Sequence, residues 1–180
     1  KKGFEETRGT LFFDIAEIIE KKKPKAFFLE NVRNLEKHDN GKTIKVIENV
    51  LRSLDYSFDY KLVRASDFGL PTHRPRIFMI GLHKSVIGDT EKYEFPFPDP
   101  IPLTKTMSDV FGATCSRKIG FTLRVGGRGS GIHDRRNWDS YLVNGKVKRL
   151  TPKEGKKMMG FPDSFEFPVS EVQALKQLGN

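Results

Sequence analysis

A chain of 180 residues has room for one domain, or for one domain and a small lobe. Its 37% hydrophobic and 31% charged residues are those of an ordinary soluble protein, and no apolar run approaches the ~20 residues of a membrane span. The net charge is +9, and about 33 residues from Arg117 to Arg149 carry +7 of it: nine Lys/Arg against Asp134 and Asp139. Such an excess favours a polyanion, nucleic acid first, over a merely solvated basic face.

Arg8 to Glu20 reads as a helix with Leu11, Ile15, Ile18 and Ile19 at helical spacing, stopped by Pro24. Lys25 to Leu29 follows as a strand apolar on both faces, as in the middle of a parallel sheet. Glu30 and Asn31 lie at its carboxyl end, where ligands of open α/β sheets sit. A second amphipathic helix covers Thr43 to Leu54 with Ile44, Ile47, Val50, Leu51 and Leu54 on one face. Tyr56, Phe58, Tyr60 and Leu62 alternate as a strand. After the loop Ser66 to Arg74, Arg76 to Leu82 is another apolar strand. The order predicts an open α/β sheet.

From Glu94 the character changes. Phe95 to Pro102 is a Pro-rich linker, and beyond it the stretch Arg124 to Gly131 is rich in Gly and Arg. Thr151-Pro152-Lys153-Glu154 is a capping box with Pro at the first helical position, and Gly160 is its stop. Ser170-Glu171-Val172-Gln173 is a second box, closed by Gly179. No secretory signal follows Lys1-Lys2. The single Cys115 excludes an internal disulfide framework and suits a reducing cytoplasm. Lys1 opens without a starting Met and Gly179-Asn180 follow directly on a helix, so the chain is expected to be a piece of something larger.

Three constellations stand out. Glu30 is either an ion-paired carboxylate or a carboxyl that keeps a proton because burial disfavours its charge. Arg74 and Arg76, at i and i+2 of an extended segment, share a face and either serve one cleft or merely solubilise an edge. Gly127, Gly129 and Gly131 mimic a nucleotide fingerprint, but Ile132-His133-Asp134-Arg135-Arg136 is no apolar helix, so a phosphate loop is not read there. A backbone-rich loop between arginines suits DNA phosphates and base edges; a flexible surface loop is the alternative. The four His and one Cys show no metal spacing, so no metal is expected. Trp138, beside Arg135 and Arg136, is the aromatic to suspect of base stacking.

Together these residues resemble the C5-cytosine DNA methyltransferases of the bacterial restriction–modification type, with motifs in the family's order along most of the chain. Arg8 to Phe13 resembles the fifth motif, Pro24 to Val32 the Glu-Asn-Val motif, and Asp67 to Arg76 the Gln-x-Arg-x-Arg motif. Arg149 to Glu154 with Met159 to Ser164 resembles the ninth, and Gly179-Asn180 the opening of the tenth.

The resemblance implies part of an open, Rossmann-like sheet of the S-adenosylmethionine-dependent methyltransferase type, with a small irregular, β-containing DNA-recognition lobe. Residues 1–93 would be the C-terminal part of the catalytic domain, 94–148 linker and recognition lobe, and 149–180 helices returning to the catalytic domain. It implies a target cytosine flipped out of duplex DNA, thiolate attack at C6, and methyl transfer from S-adenosylmethionine to C5. Glu30 would hold the cytosine N3 and amino edge, Arg76 the O2 side, and Arg74 would support the loop. Leu11 and Asn180 would line the cofactor site. Thr122-Leu123 matches the Thr-Leu pair of family recognition regions, and Arg124, Gly126, Gly127 and Arg128, with Arg135 and Arg136, would face DNA.

Departures from the pattern define the expectation further. The family's Pro-Cys nucleophile and Gly-rich cofactor loop precede the fifth motif and are not in this chain, Cys115 is no substitute, and Thr72 stands where the family has Gln. The chain is expected to need a missing N-terminal catalytic segment as partner. A DNA-binding module that never methylates is the alternative.

Overall fold

The structure is a computed structural model that describes residues 7–126 and 129–180, the side chains of residues 7–10 excepted. The chain forms two compact units, one of Lys1–Val63 with Arg76–Pro98, the other of Arg64–Pro75 with Asp99–Asn180.

The first unit is mixed α/β. Helix α1 spans Thr7–Lys22, strand β1 Ala26–Val32, helix α2 Lys42–Ser53, strand β2 Asp59–Arg64, strand β3 Pro75–Leu82 and the short helix α3 Lys84–Ile87. The strands form one sheet in the order β1-β3-β2. Phe27, Ile77 and Met79 of the sheet pack with Ile44, Ile47 and Leu51 of α2, Ile19 of α1, and Tyr56 and Phe58. The face of α2 expected from its spacing is the face that is buried.

Three expectations need correction here. β1 is antiparallel to β3, with Phe27 opposite Gly81 and Glu30 opposite Phe78, and lies at the sheet's edge rather than amid parallel neighbours. Only Phe27 of its residues is buried. The apolar run carries no strand direction, which is why the sequence misleads. β1 also extends through Glu30 and Asn31, so both lie within the ladder and not beyond its end. In α1 the apolar residues form two stripes. Phe12, Ala16 and Ile19 face the core, so of the four residues read at helical spacing only Ile19 is buried, and Leu11, Ile15 and Ile18 are exposed.

Gly81 sets the fit of β1 on β3. Phe27 lies over it so closely that a Cβ would come 2.3 Å from the phenyl ring and 2.3 Å from the Ser57 carbonyl. No residue with a side chain fits there without displacement.

The second unit holds α4 (Met107–Phe111), β4 (Ser140–Val143), β5 (Lys146–Arg149), α5 (Pro152–Met158) and α6 (Glu171–Gly179). β4 and β5 form an antiparallel hairpin turned by Asn144 and Gly145, both at positive φ, as a two-residue hairpin turn requires. The core joins Met107, Val110, Leu123, Trp138, Tyr141, Val143, Leu150, Met158, Leu175 and Leu178. The helices expected to return to the catalytic domain thus share a core with the lobe residues. Gly155 permits it, since a Cβ there would lie 2.9 Å from Leu178 Cδ1. Both expected boxes stand at helix starts, but only the first is reciprocal: Glu154 accepts from the Thr151 amide at 3.0 Å, whereas Ser170 is a one-sided cap whose hydroxyl oxygen accepts from the Gln173 amide at 3.4 Å. Trp138 is core, its indole N–H donating to the Gly126 carbonyl at 3.0 Å, so it is not a stacking platform.

Tyr141 is buried within this core, and burial pushes its phenol up to about 12. An unfolded Tyr ionises near 10. Between these values the unfolded chain binds fewer protons than the native one, so stability falls as pH rises. The stability of wild type relative to Tyr141→Phe is therefore expected to be constant below pH 10 and to decline by roughly 2 kcal/mol towards pH 12. Denaturant titrations at pH 8, 10 and 11.5 measure it, and a constant difference would contradict the burial.

Candidate functional site

Side chains alternate across a strand, so Phe27 and Leu29 face the core while Phe28, Glu30 and Val32 share the opposite face of β1. The antiparallel register puts Arg76, Phe78 and Ile80 of β3 on that same face. Glu30 and Arg76 are diagonal neighbours there, and Glu30 Oε1 lies 2.6 Å from Arg76 Nε. This is a short, charge-assisted contact. Arg76 is mostly covered, its side chain 14% exposed, whereas Glu30 is 44% exposed. The guanidinium is therefore held in place and the carboxylate is left with access to a ligand. Phe28, 64% exposed, stacks on Phe78 at 5.3 Å between ring centroids and forms an apolar wall beside the pair. Of the two alternatives for Glu30, the structure shows the ion-paired carboxylate, still open to solvent, and not the carboxyl kept protonated by burial. It is not enclosed in an apolar pocket.

The two arginines take different roles. Arg74 belongs to the second unit and donates through Nη2 to the backbone carbonyl of Asn180 at 2.8 Å. Arg74 and Asn180 also line a cleft of about 290 Å3 walled by Met159, Phe161, Phe165, Phe167 and Leu178. Thr72 is fully buried, its hydroxyl donating to the Phe121 carbonyl at 3.2 Å.

In the basic stretch, Thr122 is half-buried, Leu123 is core, and Arg124, Gly126 and Arg135 are exposed. Gly127 and Arg128 lie outside the described residues. Arg136 is exposed and grips Asp134 through Nε at 3.2 Å and Nη2 at 2.9 Å, which holds the Asp134 carboxyl at about 2. Asp139, fully buried, pairs with Arg149 at 3.0 Å. Both acids of the stretch are thus taken up by neighbouring arginines, and Arg124, Arg135, Lys146 and Lys148 have no ion pair among the described residues. The hairpin lysines Lys146 and Lys148 are exposed and add to the basic surface beyond the residues singled out from the sequence. Asn144-Gly145 is the sequence signal that finds this hairpin. Leu11 is exposed on α1. Among the described residues no His, Cys, Asp and Glu cluster could hold a metal ion, and no helix is long and apolar enough to cross a membrane.

The chain matches the family model of the C-5 cytosine-specific DNA methylases over residues 1–128 and 116–180. It is 36% identical over its whole length to the type II methyltransferase M.HhaI of Haemophilus parahaemolyticus, covering 66% of that protein. It is 37% identical over 99% of its length to M.HpaII of Haemophilus parainfluenzae, covering 62%, and 36% identical over its whole length to M.SsoII of Shigella sonnei, covering 55%. Among solved structures it is similar to a mutant DNMT2 of Spodoptera frugiperda (TM-score 0.67, 15% identity, 93% of this chain and 66% of that one). It is also similar to the methyltransferase EhMeth of Entamoeba histolytica (TM-score 0.62, 16% identity, 98% and 65%). The fold is therefore that of the C5-methyltransferases, and the chain belongs to the C-5 cytosine-specific DNA methylase family. It spans between 55% and 66% of the length of these curated relatives. The family uses S-adenosylmethionine as methyl donor.

Proposed function

We propose that this chain is part of a DNA (cytosine-5)-methyltransferase of a restriction–modification system. The observation that carries the reading is the Glu30–Arg76 pair, presented on one face of the β1–β3 ladder in a chain of this family. A cytosine rotated out of the duplex offers an acceptor at N3 beside a donor at its amino group. Glu30, taking up a proton from solvent as the base binds, donates to N3 with one oxygen and accepts from the amino group with the other. Arg76 holds the Glu30 carboxyl in place and serves the O2 side, and Arg74 braces its loop through Asn180. Addition of a nucleophile at C6 drives electrons towards N3, so a proton handed over by Glu30 stabilises the activated ring. The nucleophilic Cys belongs to the complementary part of the catalytic domain, as does most of the cofactor site.

S-adenosylmethionine supplies the methyl group when bound. The aromatic cleft beside Asn180 is apolar with a polar rim, which suits part of a nucleoside, and supports Asn180 as a cofactor residue. Leu11 is proposed on the cofactor side because its stripe with Ile15 and Ile18 is apolar and exposed. That stripe, the open edge of β1 and exposed Phe28 are a surface for the complementary catalytic segment. Residues 1–93 are assigned to catalysis, 94–148 to recognition, and 149–180 to the returning helices. Thr122, Arg124, Gly126, Gly127 and Arg128, with Arg135 and Arg136, are assigned to duplex DNA, whereas Leu123, expected there too, is core; the reading goes with a cytoplasmic location.

Supplied with the complementary segment of a family member, the chain is expected to form a stable complex by sedimentation and to transfer tritiated methyl groups from S-adenosylmethionine to duplex DNA. Assembly and DNA binding without any transfer would favour a non-catalytic binding module. In the same complex, Arg128→Ala is expected to weaken DNA binding several-fold and to lower the salt slope by about one. Unchanged affinity across several salt concentrations would remove Arg128 from the interface.

A further inference from the structure

Within the second unit three distant segments meet. The Thr72 hydroxyl donates to the Phe121 carbonyl at 3.2 Å, the His73 amide to the Gly120 carbonyl at 3.0 Å, and the Gly120 amide to the Pro71 carbonyl at 2.9 Å. Thr72 and Gly120 thereby form a short parallel bridge. From the other side, the Phe121 amide donates to the Tyr141 hydroxyl at 2.9 Å. No Cβ fits at Gly120, since it would lie 2.7 Å from Met107 Sδ and 2.9 Å from Tyr141 Oη. Further along the same segment, Arg124 and Val125 pass over Gly179, where a Cβ would come 2.5 Å from the Arg124 carbonyl carbon. Asn180, next in the chain, accepts from Arg74. The segment that leads into Thr122 is thus fastened to the segment that leads into Arg74, with Thr72 at the join.

We infer that Thr72 is a positioning residue that ties the recognition segment beginning at Thr122 to the arginine loop 71–74, so that a fit to DNA at one sets the placement of the other. The inference rests on the functional reading above. Full burial excludes Thr72 from direct contact with DNA or base. Its short side chain reaches the Phe121 carbonyl because the Gly120 backbone lies against it. A threonine at this position therefore has its own structural use, and does not stand in for a longer amide side chain reaching outwards.

The test uses the methylating complex and the isosteric Thr72→Val, which removes the hydroxyl and keeps the shape. Expected are a loss of turnover of tenfold or more at the preferred site, and a fivefold or greater loss of discrimination against sites altered at one base. The dissociation constant for preferred DNA should change less than threefold. Thr72→Ser should return turnover and discrimination to within twofold of wild type. Wild-type turnover and discrimination in Thr72→Val, even with a lowered melting temperature, would overturn the inference. If Thr72→Val does not assemble, Tyr141→Phe loosens Phe121 from the opposite side and should reduce discrimination likewise; unchanged discrimination there would overturn it too. Amide exchange in the full chain needs no activity: residues 120–125 should exchange faster in Thr72→Val than in wild type, with Thr72→Ser near wild type, and equal protection in all three would also overturn it. A wild-type complex that never methylates would contradict the functional reading instead, and the exchange result would still decide the join.

Discussion

Replacing Glu30 by Gln in the assembled enzyme is expected to lower turnover by roughly 10²- to 10⁴-fold, the range of a lost general acid, while DNA binding changes less than about threefold. The asymmetry follows from the chemistry of the pair. Gln has the length of Glu, and its amide oxygen can still accept from Arg76 Nε, now 2.6 Å from the carboxylate. Its amide N–H can donate to N3 and its oxygen can accept from the cytosine amino group, so the flipped base still finds both partners. What the amide lacks is a proton to give as electrons move onto the ring. An interaction made only in the transition state is therefore lost, and the ground-state contacts survive. Single-turnover rates and equilibrium DNA titrations on the same preparations measure the two effects. Equal losses in both would make Glu30 a brace for Arg76 and nothing more.

The largest effect on stability is expected from Gly81→Ala. The added methyl would sit 2.3 Å from two carbons of the Phe27 ring and 2.3 Å from the Ser57 carbonyl oxygen. The ring can rotate aside only by leaving the core it shares with Tyr56, 5.5 Å away between centroids. The carbonyl is backbone, and the Ser57 amide is itself held by the Leu82 carbonyl at 2.9 Å. Overpacking of this kind costs about 3 kcal/mol or more, which corresponds to a melting temperature lower by roughly 10 °C in a chain of this size. Adding Phe27→Leu should recover only part of the loss, because the Ser57 contact remains. A melting temperature within about 2 °C of wild type would show that β1 and β3 are less closely apposed than this geometry requires. Because β3 also carries Arg76, the same substitution should loosen the Glu30–Arg76 pair.

Features set by neighbours in sequence were legible, and those set by distant partners were not. The caps at Thr151 and Ser170 start helices because a cap and its amide are three residues apart. The buried face of α2 follows from spacing alone. α1 shows the limit of periodicity: two apolar stripes share one helix, and spacing cannot say which of them the first unit buries. β1 shows another, since an apolar run fixes neither strand direction nor edge position. The basic excess singled out the stretch 117–149, but Trp138 within it is core, its N–H satisfied by the Gly126 carbonyl. Asn144-Gly145 carries a hairpin signal that a charge-based reading of 117–149 passes over. The link from Thr72 to Phe121 joins residues 49 apart, and no local pattern encodes it. Glu30 and Arg76 were both singled out from sequence; their contact depends on the antiparallel register, which only the fold supplies.

The central claim is that the Glu30–Arg76 face acts on a flipped cytosine, and the position of the transferred methyl group tests it most directly. Duplex DNA treated with the assembled enzyme and S-adenosylmethionine is digested to nucleosides and analysed by mass spectrometry against authentic standards. The account predicts 5-methyl-2′-deoxycytidine as the methylated product, reduced to near background by Glu30→Gln. Methyl groups at another atom or another base, or DNA that stays unmethylated while complex and DNA remain bound, would contradict it.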